Sequence, residues 1–129
     1  MMKRRIPALC ALALVMSLSS VHAAGRFRYE ATAFQAAIDA GKPVLVHVTA
    51  VWCGECKAQK PIVAALAERP QFRALTIYDV DFDTQKDALR RLKVPQQSTL
   101  VVFKDKAEIT RAVGITRPEA IEALMNKAF

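Results

Sequence analysis

The chain has 129 residues, 53% of them hydrophobic and 24% charged, with a formal net charge of +7. That length holds one domain, and that apolar content excludes a disordered chain. The basic residues are scattered rather than clustered and lack interleaved aromatics, which argues against a nucleic-acid partner.

The first segment reads as a secretory signal peptide. Lys3, Arg4 and Arg5 give a positive start, an apolar run follows from Ile6 to about Leu18, and Val21-His22-Ala23 offers a small-x-small cleavage site. Cleavage is expected after Ala23, with Ala24 as the alternative cut, giving residues 1–23 as signal and 24–129 as one domain. The apolar run is short of the about 20 residues that cross a bilayer, so no stable membrane insertion is expected after cleavage. Cys10 sits early in that run, not at its end, which argues against lipidation. Cleavage would remove three positive charges and Cys10, leaving a mildly basic chain with two cysteines, Cys53 and Cys56.

Ala24–Tyr29 reads as a lead-in. Thr32 is a candidate N-cap for a helix through Phe34, Ala37 and Ile38, stopped by Gly41. Pro43–Ala50 contains VLVHVTA, which suits a strand buried on both faces. A helical pattern runs from about Cys53 to Glu68, interrupted by Pro61 and ended by Pro70. Leu75–Phe82 is a second strand and Thr84–Leu92 a short helix. Thr99–Lys104 and Glu108–Val113 form a hairpin around Asp105–Ala107, with Gly114 as the break. Thr116, Pro118 and Glu119 suggest a capping box opening a last helix with Ile121, Leu124 and Met125 inward. The order α-β-α-β-α-β-β-α predicts a three-layer α/β/α sandwich around a central mixed sheet.

Trp52-Cys53-Gly54-Glu55-Cys56 lies between a buried strand and a helix. A helix N-terminus presents free N–H groups and partial positive charge, which stabilise a thiolate. Cys53 is therefore the expected nucleophile. Cys56, one turn on, is the expected resolving cysteine. A pair this close constrains the unfolded chain little, so chemistry explains it better than stapling. Zinc would need four ligands, and after cleavage the chain offers two Cys and one His. A c-type haem would need His after the second Cys, where Lys57 stands. An inert structural disulfide remains as an alternative. No metal and no cofactor beyond the disulfide is expected.

With its strand, Trp52, Pro61 five residues after Cys56, and STLVVF leading to a turn, a strand and Gly114, the chain resembles the thioredoxin family from about Thr32 to Phe129. The resemblance implies a thioredoxin-like fold and a thiol–disulfide oxidoreductase acting on protein or small-molecule disulfides. It also implies that Trp52 and the Gly54-Glu55 dipeptide lie at the client-binding face.

Three departures from the family stand out. The position where the family carries a buried carboxylate is His47, and the facing position, often Lys, is Asp79. The signs are exchanged together, which suggests a His47–Asp79 pair across neighbouring strands. Two readings stay open: an acid/base for Cys56, or a self-satisfied buried pair. The family's cis-proline aligns with Ser98, while Pro95 comes three residues early. A cis bond before Ser98 would cost about 2.5–4 kcal/mol, so the Gln97–Ser98 peptide is expected to be trans. The aligned loop implies Gln97, Ser98 and Thr99 as backbone contacts for extended clients, and opens a minority alternative of a cysteine-bound metal or iron–sulfur carrier. Finally, Glu55 replaces the family's usual proline. A carboxylate near Cys53 disfavours the thiolate and leans the pair toward reducing rather than oxidising clients.

These features give an exported, monomeric, periplasmic redox domain that draws electrons from a membrane-linked thiol donor. A non-catalytic binding module on the same fold is the alternative from a different class.

Overall fold

The computed structural model describes residues 22–129, so most of the expected signal peptide lies outside the described residues. Five strands and four helices follow in order: β1 (Gly25–Arg28), α1 (Ala31–Asp39), β2 (Val44–Thr49), α2 (Gly54–Ala67), β3 (Thr76–Asp81), α3 (Lys86–Leu92), β4 (Thr99–Lys104), β5 (Ala107–Val113) and α4 (Pro118–Asn126), with a 3-10 turn at Pro70–Phe72.

The sheet order is β1-β3-β2-β4-β5. β1, β3 and β2 run parallel, and β4 pairs antiparallel with both β2 and β5. β2 is central because its apolar run can be covered on both faces. On one face Val44, Val46 and Val48 pack with Phe34 and Ile38 of α1 and Leu89 and Leu92 of α3. On the other, Leu45, Ile77, Leu100 and Val102 pack with Val63 and Leu66 of α2 and Ile121, Leu124 and Met125 of α4. This is the expected three-layer sandwich. Among the described residues no helix is long and apolar enough to cross a membrane.

The structure corrects several local readings. Residues 25–28 are not a lead-in but an edge strand, registered Arg26 to Ile77 and Arg28 to Asp79. GRFR carries no β-branched residue and two charges, which an edge tolerates and a sequence pattern hides. α1 is capped by Glu30 rather than Thr32: its carboxylate accepts from Thr32 N–H at 3.0 Å and Ala33 N–H at 2.8 Å. The capping box at Thr116 does not form. Pro118 holds the first helical position, which makes Arg117 the N-cap, and Arg117 has no side-chain acceptor. α3 begins at Lys86 rather than Thr84, because Asp81 accepts from Asp83 N–H and Thr84 N–H and holds them in a turn. These contacts also lower the Asp81 pKa, the Thr84 bond most. α2 runs through Pro61 without ending, and Gly41 closes α1 at φ +70° as expected.

Candidate active site

β2 delivers the chain through Ala50, Val51 and Trp52 to Cys53, the N-cap of α2. Cys53 has extended backbone (φ −86°, ψ 120°), and its Sγ accepts from Cys56 N–H at 3.2 Å. The same sulfur is bonded to Cys56 Sγ, with the Cα atoms 5.3 Å apart. A sulfur at a helix N-terminus receiving a backbone N–H is the arrangement that stabilises a thiolate once the bond opens.

The disulfide lies more enclosed than an exposed helix start suggests. Cys53 is 2% exposed and Cys56 0%, while Val51 and Trp52 beside them stand 74% and 57% exposed. Cys53 is the less enclosed of the two. Phe82, partly buried, packs against the pair together with Ala50.

Trp52 is anchored. Its indole N–H donates to both Asp83 carboxylate oxygens, at 3.0 and 3.2 Å, and its ring meets Phe82 edge-on at 6.4 Å. Lys86 Nζ sits 4.4 Å from the centre of the Phe82 ring. Asp83 carried no recognisable pattern in the sequence. Glu55 Oε2 lies 3.8 Å from Cys53 Sγ, so the carboxylate is beside the sulfur as anticipated. Gly54 is exposed, and a Cβ there would meet nothing within 4 Å.

The Ser98 loop lies at the same end of the sheet, since Thr99 pairs with Val48 near the end of the strand that feeds Cys53. The Gln97–Ser98 peptide is trans, as expected, and Ser98 adopts φ +54°. Ser98 and Thr99 are buried and Gln97 half-buried; Thr99 Oγ1 donates to Gln96 O at 2.7 Å.

His47 and Asp79 face one another in the β2–β3 register, His47 Nδ1 3.7 Å from Asp79 Oδ1. The pair is part of a larger group. Arg26, from the strand missed in sequence, binds Asp79 through Nε at 2.6 Å and Nη2 at 2.8 Å, and its Nη2 is 3.5 Å from His47 Nδ1. On the other side His47 Nε2 is 3.0 Å from Gln59 Oε1. Gln59 Nε2 donates to Ser98 O at 3.1 Å and Ile115 O at 2.9 Å. Those two bonds fix which end of the amide carries oxygen. Oε1 must then accept, so neutral His47 holds its proton on Nε2. Burial pushes the His47 pKa down to about 4, and the neighbouring Arg26 and Lys60 charges push the same way against Gln59 and Asp79. The ring is neutral near neutral pH. Gln59 was missed because a lone glutamine on an apolar helix face carries no pattern. Among the described residues no group of three or more His, Cys, Asp or Glu side chains could hold a metal ion.

The thioredoxin family model matches residues 26–127. The chain belongs to the thioredoxin family. This thioredoxin-family chain is 40% identical to Trxlp from Edwardsiella tarda, covering 78% of itself and 98% of that structure with a TM-score of 0.76. It is 34% identical over 91 residues to an H-type thioredoxin of Fagopyrum esculentum, covering 70% of itself and 77% of that protein. It is 33% identical over 95 residues to thioredoxin Asp f 29 of Aspergillus fumigatus, covering 73% and 86%. With the Cys53–Cys56 disulfide at the helix start, the chain is a thiol–disulfide oxidoreductase with a redox-active cysteine pair. Its family acts on protein disulfides and is served by reductase partners.

Proposed function

We propose that this protein reduces client disulfides outside the cytoplasm, after export by a signal peptide over residues 1–23, as a periplasmic monomer recharged by a membrane-linked thiol donor. In the dithiol form Cys53 thiolate attacks a client disulfide. One client sulfur leaves as thiolate and takes a proton, and the other stays bonded to Cys53. Cys56, losing its own proton, then attacks Cys53 Sγ, releasing the second client thiol and restoring the disulfide. Each cycle oxidises the pair by two electrons and reduces one client bond. An exported compartment without a reductant pool of its own requires a donor that carries electrons across the membrane.

The observation that carries the reducing direction is Glu55 Oε2 at 3.8 Å from Cys53 Sγ. A carboxylate this close opposes the Cys53 thiolate, weakens the reduced form's main stabilisation, and lowers the potential of the couple. Trp52, Gly54 and Glu55 border the disulfide, and Gln97, half-buried ahead of the buried Ser98 and Thr99, opens the backbone edge along which an extended client lies. Of the two readings of His47, the geometry favours a buried, satisfied group over an acid/base, although the satisfaction comes from Gln59 and Arg26 rather than from Asp79. Its proton is engaged by Gln59 and its lone pair faces Arg26 and Asp79, which leaves Cys56 to deprotonate by another route.

Reduction of insulin disulfides with dithiothreitol tests the activity. Turnover in wild type, lost in Cys53→Ser, is expected; a wild type without turnover would favour a binding module. Equilibration with glutathione tests the direction. A potential nearer about −270 mV than about −120 mV, the span between reducing and oxidising members of this fold, is expected.

A further inference from the structure

Gln59 is fully buried inside α2, on a face otherwise built from Val63, Leu66 and Cys56. A leucine would fill that space without the cost of burying an amide. The amide is instead used at both ends. Its two N–H groups reach the carbonyls of Ser98 and Ile115, on two different loops, and its oxygen takes the His47 proton. Because the oxygen is engaged, the amide cannot turn over and lose its grip. On its other side His47 Nδ1 faces Arg26 Nη2 at 3.5 Å, and Arg26 is itself held by Asp79.

The Ser98 loop needs such a hold. Ser98 sits at φ +54°, a left-handed conformation that a residue with a Cβ adopts at a cost, and no proline ring locks it. Its carbonyl is clasped twice, by Gln59 Nε2 and by Gly114 N–H at 3.0 Å. Gly114 itself stands at φ +71°, next to Ile115, whose carbonyl takes the second Gln59 proton. One side chain therefore joins the Ser98 loop, the Gly114–Ile115 turn and the helix that carries the disulfide.

We propose that Gln59 is a positioning residue: it clasps the Ser98 and Ile115 carbonyls, fixes the backbone edge beside the Cys53–Cys56 disulfide, and so sets affinity for extended protein clients without touching the reacting sulfurs. The inference rests on the reading of residues 97–99 as the client-docking edge. It separates two classes of substrate. A protein client must pair with the loop. A small disulfide needs only the sulfurs.

The test compares insulin with a small aromatic disulfide, using the full exported chain and two variants. Gln59→Met keeps the length and removes every hydrogen bond. Gln59→Glu keeps an acceptor for His47 and removes both donors to the loops. Both should raise the KM for insulin about tenfold, the loss of a hydrogen-bonded hold on the docking edge. Both should leave kcat and the small-disulfide rate within about a factor of two. Folded variants with wild-type KM for insulin, or with equal losses on both substrates, would overturn the clasp. If wild type reduces neither substrate, the reductase reading fails and the clasp fails with it; if wild type reduces both and the variants match it, only the clasp fails. Wild type alone gives a further readout, independent of whether the variants fold. Both Gln59 side-chain amide protons should resist hydrogen exchange, and rapid exchange would overturn the proposal.

Discussion

Lowering the pH from 7 to 4 should strip stability from this fold through one buried imidazole. His47 is fully buried, and its pKa falls from 6.5 to about 4, with burial the largest cause. A histidine whose folded pKa is depressed binds fewer protons folded than unfolded between those two values. Stability is therefore full above pH 6.5 and declines as the pH falls toward 4. Each pKa unit is worth about 1.4 kcal/mol, so the decline attributable to His47 is about 3 kcal/mol. That is a large share of the about 5–15 kcal/mol that typically separates folded from unfolded chains. The comparison is with His47→Leu, which removes the titrating ring and leaves Gln59 Oε1 without its donor. Urea unfolding, followed by far-ultraviolet circular dichroism at pH 7, 6, 5 and 4, gives the stability gap between the two proteins. The gap should be widest at pH 7 and shrink by about 3 kcal/mol by pH 4. Carboxylates common to both proteins largely cancel. A gap independent of pH, or a folded imidazole that titrates near 6.5 by NMR, would refute the burial argument.

Replacing Glu30 by Ala removes the acceptor for Thr32 N–H and Ala33 N–H and should cost about 1 kcal/mol in urea unfolding. Leu100→Ala opens a cavity where the two-sided core is fully buried and should cost about 2–5 kcal/mol in the same assay. Arg111 Nη1 and Nη2 donate to the carbonyls of Lys93 and Leu92 at the end of α3, so Arg111→Ala should cost about 1 kcal/mol and speed amide exchange in the last turn of that helix. Glu55→Gln removes the carboxylate beside Cys53 and should raise the disulfide potential by about 10–30 mV against glutathione; an unchanged potential would show that this charge does not set the direction.

What the sequence displayed and what it hid divide along physical lines. β2, α2 and the β4–β5 hairpin were legible because continuous burial, helical spacing and a turn signal each leave a period in the chain. The cysteine pair was legible because two thiols three residues apart at a strand–helix junction have few other uses. The His47–Asp79 register was legible only through the resemblance, as two sign changes at facing positions. β1 was not, because a four-residue edge strand with two arginines lacks any period, and its stabilisation comes from β3. With β1 went Arg26, and so the true first partner of Asp79. Gln59 and Asp83 stayed hidden for a related reason. Each acts through groups 31 to 56 residues away, on Trp52 for Asp83 and on Ser98 and Ile115 for Gln59, and only folding brings those groups into range. The capping errors at Thr32 and Thr116 show a local limit: either of two neighbouring residues can cap, and the proline or carboxylate nearby decides which.

The most direct test of the redox assignment is to trap the exchange intermediate. Reduced Cys56→Ser, mixed with a disulfide-bonded protein client, should accumulate a mixed disulfide that mass spectrometry maps to Cys53, while Cys53→Ser should form none. Equal adducts on Cys56 in Cys53→Ser, or no adduct in either variant, would contradict the assignment of Cys53 as the attacking sulfur.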